Sequence, residues 1–563
     1  MSHFASVRAS TQPSIAANAF NRRGISRLVR RWILGTMLGV CCQFSLPFPA
    51  NAFGQASPAS KSTVTYESTE WVVPILNDGS KIDLLEFTLD VTKLTSLSAI
   101  TLSTEFTTDT ADLAEVAIRL KQESGDKEFG KLAYSKSSVA GKSIELKGDQ
   151  TLPPGKHRFR LSIRSRKDAK LLNAMVVRIT GLEFQNVDQL AIPASTFTVQ
   201  HLAYPIHQRH QFDCHTFRIP GIAKANNGNL LAVYDMRYDS SRDLQGDMDI
   251  GLSRSSDGGQ TWSEPAPIMD MGEFQGKSES ENGCSDPCIL VDSTTGEIFV
   301  AACWTYGKPN THQWSGKGSE PGLDILHSTQ FMVVRSTDHG KTWSQPENWT
   351  DKLKDPKWHL FAPAPGNGIT MSDGRLVMPT QGRDAEGLPF SNVTWSDDHG
   401  KTWHVSQPAR RDTTECAVVE LSDGRLMLNM RDNRNRKLKD QTNGRAVATT
   451  KDLGQTWTRH DSDHALLPEP TCMASLIRLD YEGRPILLFS NPNNKSRRAG
   501  MTLQISFDDG KSWPVSKRLL LDTKGGAYSS LVMIDEKTIG ILYESSVADM
   551  VFQKIPIDWS MGR

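Results

Sequence analysis

One eight-residue pattern occurs five times between residues 255 and 513, and it constrains the fold more than any other feature. Each copy reads Ser/Thr-x-Asp-x-Gly-x-Thr/Ser-Trp, and the copies begin at Ser255, Ser336, Ser396, Thr450 and Ser506. Each copy suits a hairpin turn, because Ser, Thr and Asp side chains bond nearby backbone amides and Gly permits a positive φ. The Trp predicts a packing contact between neighbouring sheets.

The spacing of these octapeptides predicts a repeated sheet. Their first residues are separated by 81, 60, 54 and 56 positions, a period typical of four-stranded sheets arranged around an axis. Further turn signals recur between apolar runs, at 227–229, 372–375 and 422–425. We therefore predict an all-β chain in which residues 201–563 form a six-bladed β-propeller with blades of about 60 residues.

Residues 53–200 have a different composition, with no Cys and a single Trp, Trp71. Alternating polar and apolar runs, as at 81–89 and 157–163, are separated by polar turn signals. This pattern predicts short strands and a β-sandwich domain ahead of the propeller. Two roles for that domain stay open: packing or spacing, and binding to carbohydrate or another surface.

Residues 1–52 have the pattern of an export signal. They carry six arginines and no Asp, Glu or Lys, followed by an apolar run at 32–46 and the triplet Ala50-Asn51-Ala52. The sequence predicts a signal peptide cleaved after Ala52 and an exported, periplasmic or extracellular protein. A membrane anchor is the alternative, although about 15 residues are short for a span. The export route stays open between the general pathway, a twin-arginine signal at Arg30-Arg31 and a lipobox before Cys41.

Charge and cysteine content limit the ligand classes. The chain has 64 basic and 64 acidic residues, and loss of the six N-terminal arginines leaves a net charge of −6. Nucleic-acid binding is disfavoured, because it depends on a basic excess. Cys284 and Cys288 lack a second pair at zinc-finger spacing. We expect no metal, no cofactor and no membrane span after signal removal, while one or two disulfides stay open.

The octapeptides are Asp boxes, also called BNR repeats, and Phe217-Arg218-Ile219-Pro220 stands in front of them. With these motifs the chain resembles the bacterial exo-α-sialidases (neuraminidases) of glycoside hydrolase family 33. The resemblance implies a catalytic propeller that hydrolyses terminal α-ketosidically linked sialic acids. Its partners would be sialylated glycoproteins, glycolipids or oligosaccharides, and the Asp of each box would be structural.

The chemistry of such a substrate favours particular residue types. Sialic acid carries a carboxylate on its anomeric carbon, and arginine binds carboxylates through a planar, always charged fork. A neutral Tyr nucleophile avoids the repulsion that a carboxylate nucleophile would meet. The resemblance assigns the carboxylate clamp to Arg218, Arg431 and Arg498, with Arg497 as the alternative to the last.

The resemblance also assigns the reacting groups. Asp243 would be the acid/base, with Asp247 as the alternative, and Tyr528 would be the nucleophile in a retaining mechanism. Glu415 would be the base that activates Tyr528. Since Glu415 precedes an apolar run and Arg431 ends the following strand, we expect both at the same sheet edge.

Three further residues complete the predicted site. By the resemblance, Glu544 orients Arg218, while Arg237 and Asp286 hold the O4 region of the sugar. An ordinary Asp-Pro turn is the alternative for Asp286. Two other functions stay open: a propeller that binds without catalysis, and a related enzyme that performs transfer, anhydro-product formation or cleavage of a deaminated sugar.

Overall fold

β-strands make up most of the part of the chain that the computed structural model describes. That part is residues 63–560 without 122–128, 138, 140, 186, 188–189, 191, 193–197, 308–317 and 438–442. The predicted export signal, residues 1–52, lies outside it. The predicted all-β class is confirmed, since the helices in these ranges are one short α-helix, α1 (Thr350–Leu353), and brief 3₁₀ turns. In the same ranges, no helix is long and apolar enough to cross a bilayer.

The first ten strands contain the alternating runs seen in the sequence. They are β1 (Val64–Glu70), β2 (Ile75–Leu76), β3 (Ile82–Val91), β4 (Thr95–Ser103), β5 (Leu113–Leu120), β6 (Lys131–Ser137), β7 (Ser143–Leu152), β8 (Gly155–Ser165), β9 (Ala174–Met175) and β10 (Arg178–Phe184). Two antiparallel sheets result, ordered β1-β3-β8-β5-β6 and β10-β4-β7. Their buried side chains belong to one apolar cluster, in which Phe87 stacks on Phe159 with ring centroids 4.9 Å apart.

Six more sheets follow among the described residues. The first sheet contains β12 (Thr216–Lys224), β13 (Leu230–Arg237), β14 (Met248–Ser255) and β15 (Ala266–Met269). The second contains β16 (Cys284–Val291), β17 (Ile298–Trp304), β18 (Gln330–Ser336) and β19 (Glu347–Asn348), and β21 (Gly366–Asn367) pairs with its β16. The third contains β20 (Leu360–Pro363), β22 (Ile369–Thr370), β23 (Leu376–Arg383), β24 (Pro389–Ser396), β25 (His404–Val405) and β26 (Arg410–Arg411). The fourth sheet contains β27 (Thr413–Glu420), β28 (Leu426–Asp432), β29 (Ala446–Thr450) and β30 (Thr458–Arg459). The fifth contains β31 (Ser475–Tyr481), β32 (Arg484–Pro492), β33 (Met501–Ser506) and β34 (Leu519–Asp522). The sixth contains β35 (Ser529–Asp535), β36 (Thr538–Tyr543) and β37 (Met550–Pro556), and β11 (Gln200–His207) pairs with its β37. Second strands such as β13 are buried along their whole length, which explains their continuous apolar runs.

The antiparallel order gives each of these sheets two distinct edges. The start of the first strand lies beside the end of the second, as Thr216 lies opposite Arg237. We call the side of each sheet where these strand ends lie the upper edge. The third strand also begins on that side. The five octapeptides follow the third strands β14, β18, β24, β29 and β33, so they lie at the lower edge.

The octapeptides form the same local structure each time. In the first copy, the Thr261 amide and hydroxyl donate to the two carboxylate oxygens of Asp257 at 3.0 and 2.6 Å, and the Ser255 hydroxyl donates at 2.8 Å. Trp262 packs on Phe552 of the neighbouring sheet, with centroids 5.1 Å apart. A Cβ on Gly259 would lie 2.1 Å from that Phe ring, so glycine is required there.

The last sheet joins the two regions of the chain. Strand β11 pairs antiparallel with β37 and parallel with β2. The Gln200 side chain accepts from the Val73 amide at 2.7 Å and donates to the Trp71 carbonyl at 2.8 Å. Residues before and after position 200 therefore share one sheet. The six cysteines in the described residues are buried free thiols, so no disulfide forms among them.

Candidate active site

A pocket of about 280 Å³ opens at the upper edge, where first, second and third strands of several sheets meet. Seven of the nine predicted site residues line it: Arg218, Asp243, Asp286, Glu415, Arg431, Arg498 and Tyr528. Arg218, Asp286 and Glu415 lie near the starts of first strands, and Arg431 lies near the end of a second strand. The pocket thus brings together residues of different sheets that are more than 300 positions apart, such as Arg218 and Tyr528.

Irregularities in the strand pairing occur at three of these positions. The register shifts between Arg218 and Gly221 in β12, between Ser285 and Cys288 in β16, and between Thr413 and Cys416 in β27. Such bulges break the two-residue alternation and redirect a side chain. The three bulges include Arg218, Asp286 and Glu415. Each bulge therefore affects the direction of one side chain that lines the pocket.

Tyr528, directly before β35, is only 5% exposed and is held by two charged partners. Its hydroxyl donates to one carboxylate oxygen of Glu415, and Arg431 Nη1 donates to the Tyr528 oxygen at 3.1 Å and to the other Glu415 oxygen. The guanidinium carbons of Arg218 and Arg498 lie 5.5 and 5.4 Å from the Tyr528 ring centroid. Three arginines therefore surround one phenol.

Tyr528 and Glu415 have pKa values shifted in opposite directions. Burial, followed by the Glu415 charge, raises the pKa of Tyr528 well above its ordinary value. Burial also acts to raise the pKa of Glu415, but the Arg431 charge and the hydrogen bonds outweigh it and leave that pKa below its ordinary value. A neutral phenol thus donates to an ionised carboxylate, the protonation states that base-assisted nucleophilic attack requires.

Arg218 and Asp243 contact each other directly, and each is also held by one further predicted residue. Glu544 accepts from Arg218 Nε at 3.1 Å and from Nη2 at 3.2 Å. Asp243 accepts from Arg218 Nη1 at 3.3 Å and from Arg237 Nη1 at 2.9 Å. Arg237 and Glu544 do not line the pocket themselves. They contact the lining residues, because Arg237 binds Asp243 and Glu544 binds Arg218.

The structure separates the alternatives for the third arginine and for the acid. Arg498 lines the pocket and donates from Nη2 to the Thr471 carbonyl at 3.0 Å, whereas Arg497 does not line it. The Asp243 side chain is 45% exposed at the pocket. Asp247 does not line it, and burial followed by the charge of Glu279 raises the pKa of Asp247 to about 6.

Asp235 is a buried member of the site that the sequence analysis missed. It accepts from Arg237 Nε and Nη2 at 3.1 and 2.7 Å, from the Ser285 hydroxyl at 2.7 Å and from the Asp286 amide at 3.0 Å. Burial and then the Asp235 charge raise the pKa of Asp286 well above its ordinary value. The Asp-x-Arg spacing at the end of β13 was the available signal, because residues two apart share a strand face.

Comparison with known proteins shows the family of the chain. Residues 228–541 match the BNR repeat-like domain. The chain is 39% identical over 534 residues to a sialidase of Bacteroides fragilis strain YCH46, covering 89% of this chain and 96% of that one. The chain belongs to the sialidase family. The family resemblance predicted from the sequence is confirmed.

Other members of the sialidase family match over smaller or similar shares. A sialidase of Micromonospora viridifaciens is 35% identical over 368 residues, which cover 62% of this chain and 52% of that one. The solved structure described as Hadza microbial sialidase Hz136 is 36% identical, with a TM-score of 0.80 over 87% of this chain and 99% of its own. The match to that structure therefore extends beyond the BNR repeats to most of the chain.

In this sialidase-family chain, Arg383 and Arg436 also line the pocket and were missed. Arg383 is the last residue of the second strand β23, as Arg237 is the last residue of β13. An arginine at the end of a second strand was therefore a sequence signal for this residue. Arg436 ends a short 3₁₀ turn after β28, which no sequence motif marked. The lining of the pocket thus contains five arginines and three carboxyl groups. Among the described residues, no group of His, Cys, Asp or Glu side chains could hold a metal ion.

Proposed function

We propose that this chain is an exo-α-sialidase that hydrolyses terminal α-ketosidically linked sialic acids from glycoproteins, glycolipids or oligosaccharides. The observation that carries the proposal is the placement of Arg218, Arg431 and Arg498 around Tyr528. Arg431 lines the pocket beside Tyr528, and its Nε has no hydrogen-bond partner among the described residues. The family relatives support the same activity.

The reaction proceeds by double displacement in this proposal. Tyr528 Oη forms a bond to the anomeric carbon while its proton passes to Glu415, and the bond to the aglycone oxygen breaks as Asp243 protonates that oxygen. Water then attacks the anomeric carbon, and Asp243 takes the proton of the water. The bond to Tyr528 breaks, and its oxygen regains the proton from Glu415. Two inversions retain the configuration.

Tyr528→Phe tests this mechanism. The change removes only the hydroxyl, so we expect folding to persist and kcat/KM for a fluorogenic α-N-acetylneuraminide to fall at least about 10³-fold. Tyr234→Phe is the matched control, because it removes another buried hydroxyl, bonded to Ser253 Oγ at 2.7 Å and outside the pocket. Equal activity of the two variants, or an initial β-anomer product by NMR, contradicts the mechanism.

We also propose that the six C-terminal sheets are the blades of a six-bladed β-propeller, residues 201–563, and that residues 53–200 form a β-sandwich domain. Contacts between strands of neighbouring sheets support the propeller: β12 contacts both β16 and β35, and β27 contacts β23 and β31. The two N-terminal sheets with a shared apolar cluster support the sandwich.

The basic and apolar composition of residues 1–52 supports export to the periplasm or the medium after cleavage at Ala52. Intact-mass measurement of the protein recovered from those fractions should give a chain that begins at Phe53. A full-length chain retained in the cytoplasm contradicts this part of the proposal.

A further inference from the structure

Glu469 and Arg445 form a buried ion pair beneath the pocket. Glu469 lies between β30 and β31, Arg445 lies directly before β29, and their side chains are 1% and 0% exposed. Arg445 Nη1 is 3.5 Å from a Glu469 carboxylate oxygen. Neither residue lines the pocket, so the mechanism above does not use them.

One end of this pair holds the strand that carries Arg431. Glu469 Oε1 accepts from the Asp432 amide at 3.1 Å. Arg445 donates from Nε to the Asn429 side-chain oxygen at 2.6 Å and from Nη2 to the Asn429 carbonyl at 3.2 Å. The backbone is therefore fixed on both sides of Arg431.

The other end holds the turn that supports Arg498. Glu469 Oε2 accepts from the Cys472 amide at 3.0 Å, and Arg445 Nη1 donates to the Cys472 carbonyl at 2.6 Å. The preceding residue, Thr471, has a φ of 61° and accepts from Arg498 Nη2 at 3.0 Å. A β-branched residue in this conformation needs its neighbours to hold it.

We propose that Glu469 is a positioning residue that sets the spacing between Arg431 and Arg498, and so determines how tightly the pocket binds a carboxylate. This inference rests on the proposed function. Two backbone amides from separate segments donate to the two oxygens of one carboxylate. A glutamine has only one acceptor oxygen, so one amide would face an NH₂ donor and one of the two segments would move.

The test compares two probes that differ only at the carboxylate: 2-deoxy-2,3-didehydro-N-acetylneuraminic acid and its methyl ester. Calorimetry gives the dissociation constant of each with the wild type, with Glu469→Gln and with Asp292→Asn. Asp292 is the matched control, a buried carboxylate after β16 at the lower edge that accepts from the Thr294 and Thr295 amides at 2.8 and 3.2 Å.

We expect the wild type and Asp292→Asn to bind the acid about 100-fold more tightly than the ester, because the ester has no charge for the arginines. In Glu469→Gln this ratio should fall at least about fivefold, since a changed arginine spacing weakens binding of the charged acid and not of the ester. A loss of folding stability alone would weaken both probes equally and leave the ratio unchanged.

The outcomes separate the two proposals. No preference for the acid in the wild type overturns the proposed carboxylate site and this inference with it. A wild-type preference that persists unchanged in folded Glu469→Gln overturns this inference alone.

If Glu469→Gln does not fold, Arg445→Lys replaces it, because lysine keeps the charge but lacks the fork that joins Asn429 to Cys472. A reduced ratio then supports the inference, and an unchanged ratio overturns it.

Discussion

At the scale of single residues, Arg218 is shared between two carboxylates. Glu544 accepts from Nε and Nη2 and also from the Ile219 amide at 3.0 Å, so it fixes both the guanidinium plane and the backbone beside it. Asp243 accepts from the remaining nitrogen, Nη1. Burial acts to lower the pKa of Arg218, but the charges of Glu544 and Asp243 raise it, so the group stays protonated.

Glu544→Gln should therefore impair substrate binding more than turnover. The amide keeps the shape but loses the charge and one of the two acceptors, which costs about 1.5–3 kcal/mol, or about 10–100-fold in kcat/KM, expressed mainly as a higher KM. Steady-state kinetics with the fluorogenic substrate measure this. Glu536→Gln, an exposed carboxylate in the turn between β35 and β36, is the control. Identical KM values for the two variants contradict the role of Glu544.

At the scale of elements, the predictable parts are those with local causes. The octapeptide turn is visible in the sequence because its hydrogen bonds join residues no more than four positions apart. The positions of Glu415 and Arg431 at strand ends could also be predicted, since each is a charged residue next to an apolar run. The sequence therefore predicted the strand class and, through the family resemblance, seven of the nine arginine, carboxyl and tyrosine side chains that line the pocket.

Asp235 and Arg383 had local signals, but the other parts that were missed depend on partners distant in the chain. Glu469 contacts Asp432 across 37 positions, and no local pattern encodes that pair. The glycine at the bulge in β12 also has a non-local cause: a Cβ on Gly221 would lie 2.5 Å from the Gly366 carbonyl oxygen, so close strand approach requires glycine there. Ile219 and Asp286 have φ values of 61° and 63°, which their residue types do not predict.

At the scale of the whole molecule, acidic groups beside the loop of Asp243 make stability depend on pH. Burial, with the charges of Asp270, Asp247 and Glu279, raises the pKa of Asp249 to about 7, although a hydrogen bond from Tyr238 at 2.8 Å opposes the shift. In the unfolded chain the pKa of an Asp is about 3.9. Between about pH 4 and 7 the folded state therefore binds more protons than the unfolded state.

The free energy of unfolding should accordingly fall as pH rises through that window, and Asp249→Asn should remove much of the fall. Below pH 4 both proteins carry a neutral group, so their stabilities should be similar. At pH 8 the variant should be more stable by about 2–4 kcal/mol, because it has no buried charge to maintain. Urea unfolding at pH 4 and pH 8 measures the difference, with Asp239→Asn, exposed on the same loop, as the control. Parallel pH profiles for wild type and Asp249→Asn would show that this carboxyl ionises alike in both states, and that the acidic residues do not destabilise the fold at neutral pH.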